Sequence, residues 1–103
     1  MNGYDSDMAN EENNDQLAAK VARRLTLARA AYGLSQHEFG DRAGLSQPQY
    51  NQFETGKRLL TLVPAMRICD EYNLTIDWLY RDEPSGLPAA LWLTIRALAK
   101  THK

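Results

Sequence analysis

Cysteine is nearly absent: Cys69 is the sole one in 103 residues, so the chain has no intrachain disulfide framework. His37 and His102 lie far from it in sequence, and no spacing suggests zinc; no metal and no cofactor is expected. No apolar run approaches the ~18 residues of a membrane span, and the N-terminus lacks the basic start and apolar stretch of a secretory signal. The expected location is the cytoplasm. Alternating polar and apolar segments bounded by turn residues are missing too, which argues against a sheet, and no repeat recurs at a fixed period. Catalytic patterns are equally scarce. There is no His or Cys nucleophile arrangement and no phosphate-cradling Gly-rich loop, and the acids cluster in the N-terminal segment and in loops. His37 is expected as an exposed polar residue, Cys69 as a small core residue, and the chain as no enzyme.

A chain of this length has room for one small domain, with no separate ligand-sensing domain. Its net charge of -1 hides a strong segregation. Residues 1–16 carry Asp5, Asp7, Glu11, Glu12 and Asp15 with no base, whereas residues 17–67 carry eight bases against Glu38, Asp41 and Glu54. The acid-rich stretch 68–87 and the basic residues 88–103 complete the balance. A basic middle is the feature that bears on a polyanionic partner. Residues 1–15, acidic and Asn-rich, offer too little apolar surface to offset the entropy of ordering them, and are expected as a mobile tail.

From about Asp15 the pattern turns helical, with Leu17, Val21, Leu25, Ala28 and Tyr32 on one stripe, Asn14 or Asp15 as cap and Gly33 as stop. Ser35 with Glu38 forms a capping box for a second, short helix that closes before Gly44. Ser46 caps a third, ended by Gly56. Thr61 opens a fourth, whose Leu62, Ala65, Met66, Cys69 and Tyr72 share a face and whose Asn73 is a left-handed stop. Thr75 caps a fifth through Trp78 and Leu79. After DEPSG, Pro88 suits a first turn, and Leu91, Trp92, Ile95, Leu98 and Ala99 make a last apolar stripe. Six helices and no strand are expected.

Residues 36–55, QHEFGDRAGLSQPQYNQFET, form a unit of two short helices joined through Ala43, Gly44, Leu45 and Ser46. Gly40 removes a side chain where the second helix would press on the first, Gly44 supplies backbone freedom for the turn, and Leu45 anchors that turn. Phe39, Ala43, Tyr50 and Phe53 face inward. This order resembles the helix-turn-helix of the phage repressor and Cro-like (XRE) family. GLSQ at 33–36, AGLS at 43–46, ETGKR at 54–58 and IDWLY at 76–80 are similar to that family's recurring segments, and the resemblance covers about residues 18–80. It implies an all-α, compact five-helix lambda-repressor-like DNA-binding domain, here residues 16–82, followed by a loop and an additional C-terminal helix, 83–103.

With Tyr50 and Phe53 inward, the ~100° step of a helix sends Pro48, Asn51, Gln52 and Thr55 to the far side, with Gln47 and Gln49 at the leading end. Amide side chains pair a donor with an acceptor and so match the N6 and N7 edge of adenine in the major groove. No residue from 47 to 53 is charged, unlike a merely solvated face. The resemblance places Gln47, Pro48 and Gln52 at base-facing positions, with Gln49 and Asn51 as secondary candidates. Pro48 departs from the polar residue often found there; its ring could touch a thymine methyl. Gln36 would contact backbone phosphate or support the reading helix. Lys57, Arg58 and Arg42 are placed to meet phosphates. Arg29 and Glu54 look like the family's ion pair between the first and third helices.

One such unit makes too few base contacts for tight specific binding, so a homodimer on a two-fold site is expected. Its contact would come from Trp78, Leu79, Leu91, Trp92, Ile95 and Leu98, although the same residues can instead close the core of one subunit. The expected function is sequence-specific regulation of transcription on double-stranded DNA, as a repressor. The alternative is an antitoxin-like module that holds a protein partner through the acidic segment and also autoregulates its promoter.

Overall fold

The computed structural model describes residues 3–101, with side chains described from residue 14 onward. Six α-helices follow in order: α1 Gly3–Tyr32, α2 Gln36–Arg42, α3 Gln47–Glu54, α4 Leu62–Tyr72, α5 Ile76–Arg81 and α6 Ala89–Thr101. A single 3-10 turn, Pro84–Gly86, interrupts the DEPSG loop. No strand occurs among the described residues.

α1 begins well upstream of Asp15, because helical backbone runs through 3–14 where a mobile tail was expected; the side chains of residues 1–13 lie outside the described set. Asn14 and Asp15 therefore sit inside a helix rather than at its cap. Acidic residues in the opening turns of a helix complement its dipole, and Ala, Met and Glu in 8–12 are good helix formers, which together favour the earlier start. Among the described side chains Ala18 is the first buried one, and Val21, Ala22, Leu25 and Ala28 are likewise below 8% exposed. Leu27 is buried as well, on a second side of α1 that the single expected stripe did not include. That side is covered by α6, which together with α3 and α5 packs on α1.

The connections follow local chemistry. Ser35 accepts from the Glu38 amide while the Glu38 carboxylate accepts from the Ser35 amide, each at 3.1 Å, and the Glu38 pKa is lowered by these hydrogen bonds with Ser35. The Ser46 hydroxyl accepts from the Gln49 amide and the Thr75 hydroxyl from the Trp78 amide. Thr61 occupies the cap position of α4 without a side-chain bond, and Asn73 ends that helix at φ 55°. Tyr72 locks α4 to α2: its ring stacks on Phe39 with centroids 4.0 Å apart, and its hydroxyl donates to the Phe39 carbonyl at 2.7 Å. Tyr80 likewise donates to the Leu60 carbonyl, tying α5 to the α3–α4 loop.

This packing corrects one expected face and bears on a choice between two others. On α4 the core takes Ala65, Ile68 and Tyr72 together with Pro64, while Leu62 and Met66 point outward with Val63. In the C-terminal third, Trp78, Leu79 and Ile95 are at most 1% exposed and close the core of one chain, so they are not available to a second copy. Leu91, Trp92 and Leu98 are half-buried against that core.

Candidate nucleic-acid interface

α2 and α3 cross closely because Gly40 permits it. A Cβ built there would lie 2.9 Å from Tyr50 Cβ, closer than real Cβ atoms come, and 3.1 Å from its Cγ. The turn between them is made at Gly44, whose φ of +78° is in the left-handed region, and it is closed by the Leu45 amide donating to the Gly40 carbonyl at 2.9 Å. Leu45 itself is buried. With Tyr50 and Phe53 also buried, α3 has a fixed rotation about its own axis.

That rotation leaves Gln47, Pro48, Gln49, Gln52 and Thr55 exposed. The side-chain amides of Gln47, Gln49 and Gln52 make no hydrogen bond among the described residues, so their donors and acceptors face solvent. Asn51 differs. It is half-buried and donates its amide to Gln36 Oε1 at 3.0 Å. Gln36 in turn donates from Nε2 to Glu54 at 2.8 Å, so the amide expected either at a phosphate or in support of the reading helix links α2 to α3.

Glu54 is the hub of this network. It is 8% exposed, and its carboxylate accepts from Arg29 Nε at 2.7 Å, Arg29 Nη2 at 2.9 Å, the Tyr50 hydroxyl at 2.5 Å and Gln36. Burial pushes the Glu54 pKa up, but the hydrogen bonds from Arg29, Tyr50 and Gln36 outweigh it and hold the group below the usual carboxylate range. The bond to Glu54 raises Arg29 correspondingly, and burial, then the bond to Glu54, raises the Tyr50 phenol. Arg29 also donates to the Leu34 carbonyl at 3.0 Å, fixing the α1–α2 connection. α1, α2 and α3 thus meet at one carboxylate.

The electrostatics around α3 follow directly. From residue 42 to residue 69 the bases are Arg42, Lys57, Arg58 and Arg67, all exposed, and the one acid is the buried, paired Glu54. Along the chain the uncharged amides therefore lie between exposed cations, with the exposed acids Glu38 and Asp41 set back on α2. Arg67 was not singled out from the sequence. Its guanidinium reaches the Gly44 carbonyl at 3.4 Å across 23 residues of chain, a proximity that no local pattern announces.

Residues 25–79, just over half of the chain, match the model of the helix-turn-helix family. The chain belongs to that family, of the XRE type. This helix-turn-helix protein is accordingly a DNA-binding transcriptional regulator, and its all-helical architecture is consistent with a lambda-repressor-like fold. No curated protein and no solved structure matches the chain. The matched span takes in α2 and α3 whole, together with Arg29 and the entire Glu54 network. Among the described residues no helix is long and apolar enough to cross a membrane.

Proposed function

We propose that this helix-turn-helix protein binds a two-fold symmetric site on duplex DNA as a homodimer and represses transcription by occupying it. In each subunit α3 enters the major groove. Gln47, Pro48, Gln49 and Gln52 meet base edges there, with Asn51 kept by Gln36 at the edge of the reading surface. Lys57, Arg58 and Arg42 meet phosphates on either side, and Gln36 acts chiefly by orienting Asn51. The observation that carries this proposal is the row of uncommitted, uncharged amides on α3, with the exposed cations Arg42, Lys57 and Arg58 on either side of it along the chain. Base edges reward paired donors and acceptors, whereas phosphates reward cations, and the two kinds of group are segregated here as such a complex requires.

The dimer contact needs exposed apolar surface outside the reading face. Leu62 at 63%, Val63 at 57% and Met66 at 50% exposed share the start of α4, just after Lys57 and Arg58. We place the contact there, with the half-buried Leu91, Trp92 and Leu98 left to hold α6 on its own chain. Two copies meeting at α4 bring their phosphate-contacting loops together, and half-site centres about one helical turn, roughly 34 Å, apart follow from a two-fold dimer on B-DNA. The direct test is selection of bound duplexes from a randomised pool at moderate salt. A two-fold symmetric consensus is the expected result. Recovery of no preferred sequence would refute sequence-specific reading and bring forward a protein partner as the main ligand.

A further inference from the structure

Behind the reading face, at the seam where α1, α5 and α6 meet, lies a cleft of about 380 Å³. Its floor is apolar: Leu27, Trp78 and Ile95 are all buried, and the half-buried Trp92 forms one wall. Its mouth is basic. Among the described residues Lys20, Arg24 and Arg96 border it as cations, Arg23 lines it as well, and Asp82 is the one acid. Asp82 lies 3.8 Å from Arg24 Nε, and Arg24 Nη1 donates to the Leu79 carbonyl at 2.9 Å, so this guanidinium is held in place beside the opening. Lys20 and Arg96 are exposed on facing helices, α1 and α6.

We infer that this cleft is a binding site for a small amphipathic organic anion, a carboxylate or sulfonate on a compact ring or short aliphatic body. The size falls in the range of small-molecule sites, and the composition has their usual form, an apolar interior with a few polar groups at defined places. The sign of the ligand is set by the excess of Lys20, Arg24 and Arg96 over Asp82 among the described residues at the mouth. The apolar body is required by the floor, because a fully hydrated anion gains nothing from Leu27, Trp78 and Ile95. None of the lining residues belongs to the reading face or to the α4 surface, so the site stands independently of how DNA is read. A chemical signal bound here would act at the joint between the DNA-binding helices and α6.

Both tryptophans of the chain line the cleft, so intrinsic fluorescence reports on occupancy directly. The full chain is titrated with octanoate, 1-octanol and octylammonium, and the titrations are repeated on Arg96→Glu and on Lys20→Glu. Saturable fluorescence change with octanoate is expected, weakened about tenfold or more for octanol and for either variant, since each removes a charge-assisted contact. Both substituted side chains are exposed, and unchanged circular dichroism and urea midpoint without octanoate establish that the variants remain intact. Equal affinities for octanoate and octanol, or octanoate affinity unaltered in both variants, would mean unselective apolar partitioning and overturn the assignment. So would the absence of any saturable change with octanoate. None of these readouts depends on DNA, so loss of the proposed operator binding and loss of this site are separately visible.

Discussion

Replacing Glu54 by alanine removes the acceptor on which three helices converge. Four hydrogen bonds disappear at once: two from Arg29, one from Tyr50 and one from Gln36. The partners are left unequal. Tyr50 is 0% exposed, so its hydroxyl has no access to water and bears a desolvation cost of ~1–3 kcal/mol. The Arg29 side chain is 24% exposed and keeps its bond to the Leu34 carbonyl, so water recovers part of what it loses. Breaking a buried pair by removing one member costs ~3–5 kcal/mol, and the hydration open to Arg29 puts the expected loss in the lower half of that range. Against a total stability of ~5–15 kcal/mol for a domain of this kind, Glu54→Ala should bring the protein close to its unfolding threshold. Urea titration followed by tryptophan fluorescence measures the change, with Tyr50→Phe as the comparison. That variant leaves three donors on a paired carboxylate and should cost only ~1 kcal/mol. A Glu54→Ala loss no larger than that of Tyr50→Phe would refute the assignment of Glu54 as the junction of α1, α2 and α3.

Acid should act on the same group: the folded pKa of Glu54 lies below its unfolded value, so its contribution is complete above the ~4.3 of a free glutamate and lost as pH falls through the folded pKa. Urea midpoints measured from neutral pH downward should show this loss in the parent and not in a Glu54→Gln variant. Gly40→Ala gains up to ~1 kcal/mol of helix propensity but overpacks against Tyr50 at a cost of ~1–3 kcal/mol, so a net loss in stability is expected; an unchanged urea midpoint would contradict the close crossing. Lys57→Ala should lower the slope of log affinity against log salt by ~1 per subunit without changing the selected sequence, whereas Gln52→Ala should cost ~1–3 kcal/mol and relax the preference at one base pair of each half-site. Met66→Glu should dissociate the dimer in sedimentation and abolish selection of symmetric sites while leaving the monomer folded.

Much of the fold is legible because its boundaries are set by chemistry within four residues. The Ser35 and Glu38 box, the Ser46 and Thr75 caps and the left-handed Asn73 each announce a helix end locally, and Gly40 and Gly44 mark the crossing between α2 and α3. Faces are harder. α4 carries two apolar lines, Leu62 with Met66 and Ala65 with Ile68 and Tyr72, both at helical spacing, and only the position of α2 and α5 decides that the core takes the second. The C-terminal stripe was ambiguous for the same reason, since periodicity does not distinguish an intrachain neighbour from a second copy. Contacts across distance are silent altogether. Gln36 meets Glu54 over 18 residues and Asn51 over 15, and nothing near any of the three signals that the amides divide into one set bound to the protein and another left outside. The cleft behind α1 is likewise assembled from α1, α5 and α6, none of which shows it alone.

That division of the amides has a physical consequence for how such a protein changes. Tyr50, Phe53 and Glu54 fix α3 in position through buried contacts, and Asn51 joins them through Gln36. Gln47, Gln49 and Gln52 contribute no hydrogen bond to the fold and stand in solvent. Substituting the outer three therefore changes stability only within the ~0.5 kcal/mol typical of exposed positions, apart from small propensity effects. Substituting Asn51 instead removes a bond that restrains Gln36, and through it the Glu54 junction. Base preference can thus be altered at Gln47, Gln49 and Gln52 without unsettling the helix that presents them, while Asn51 couples any change in reading to a change in stability. Measuring both quantities on alanine variants of all four separates the two classes: three should lose DNA affinity at constant urea midpoint, and Asn51→Ala should lose both. A lowered midpoint for Gln47, Gln49 or Gln52 comparable to that of Asn51 would show that the outer face also supports the fold.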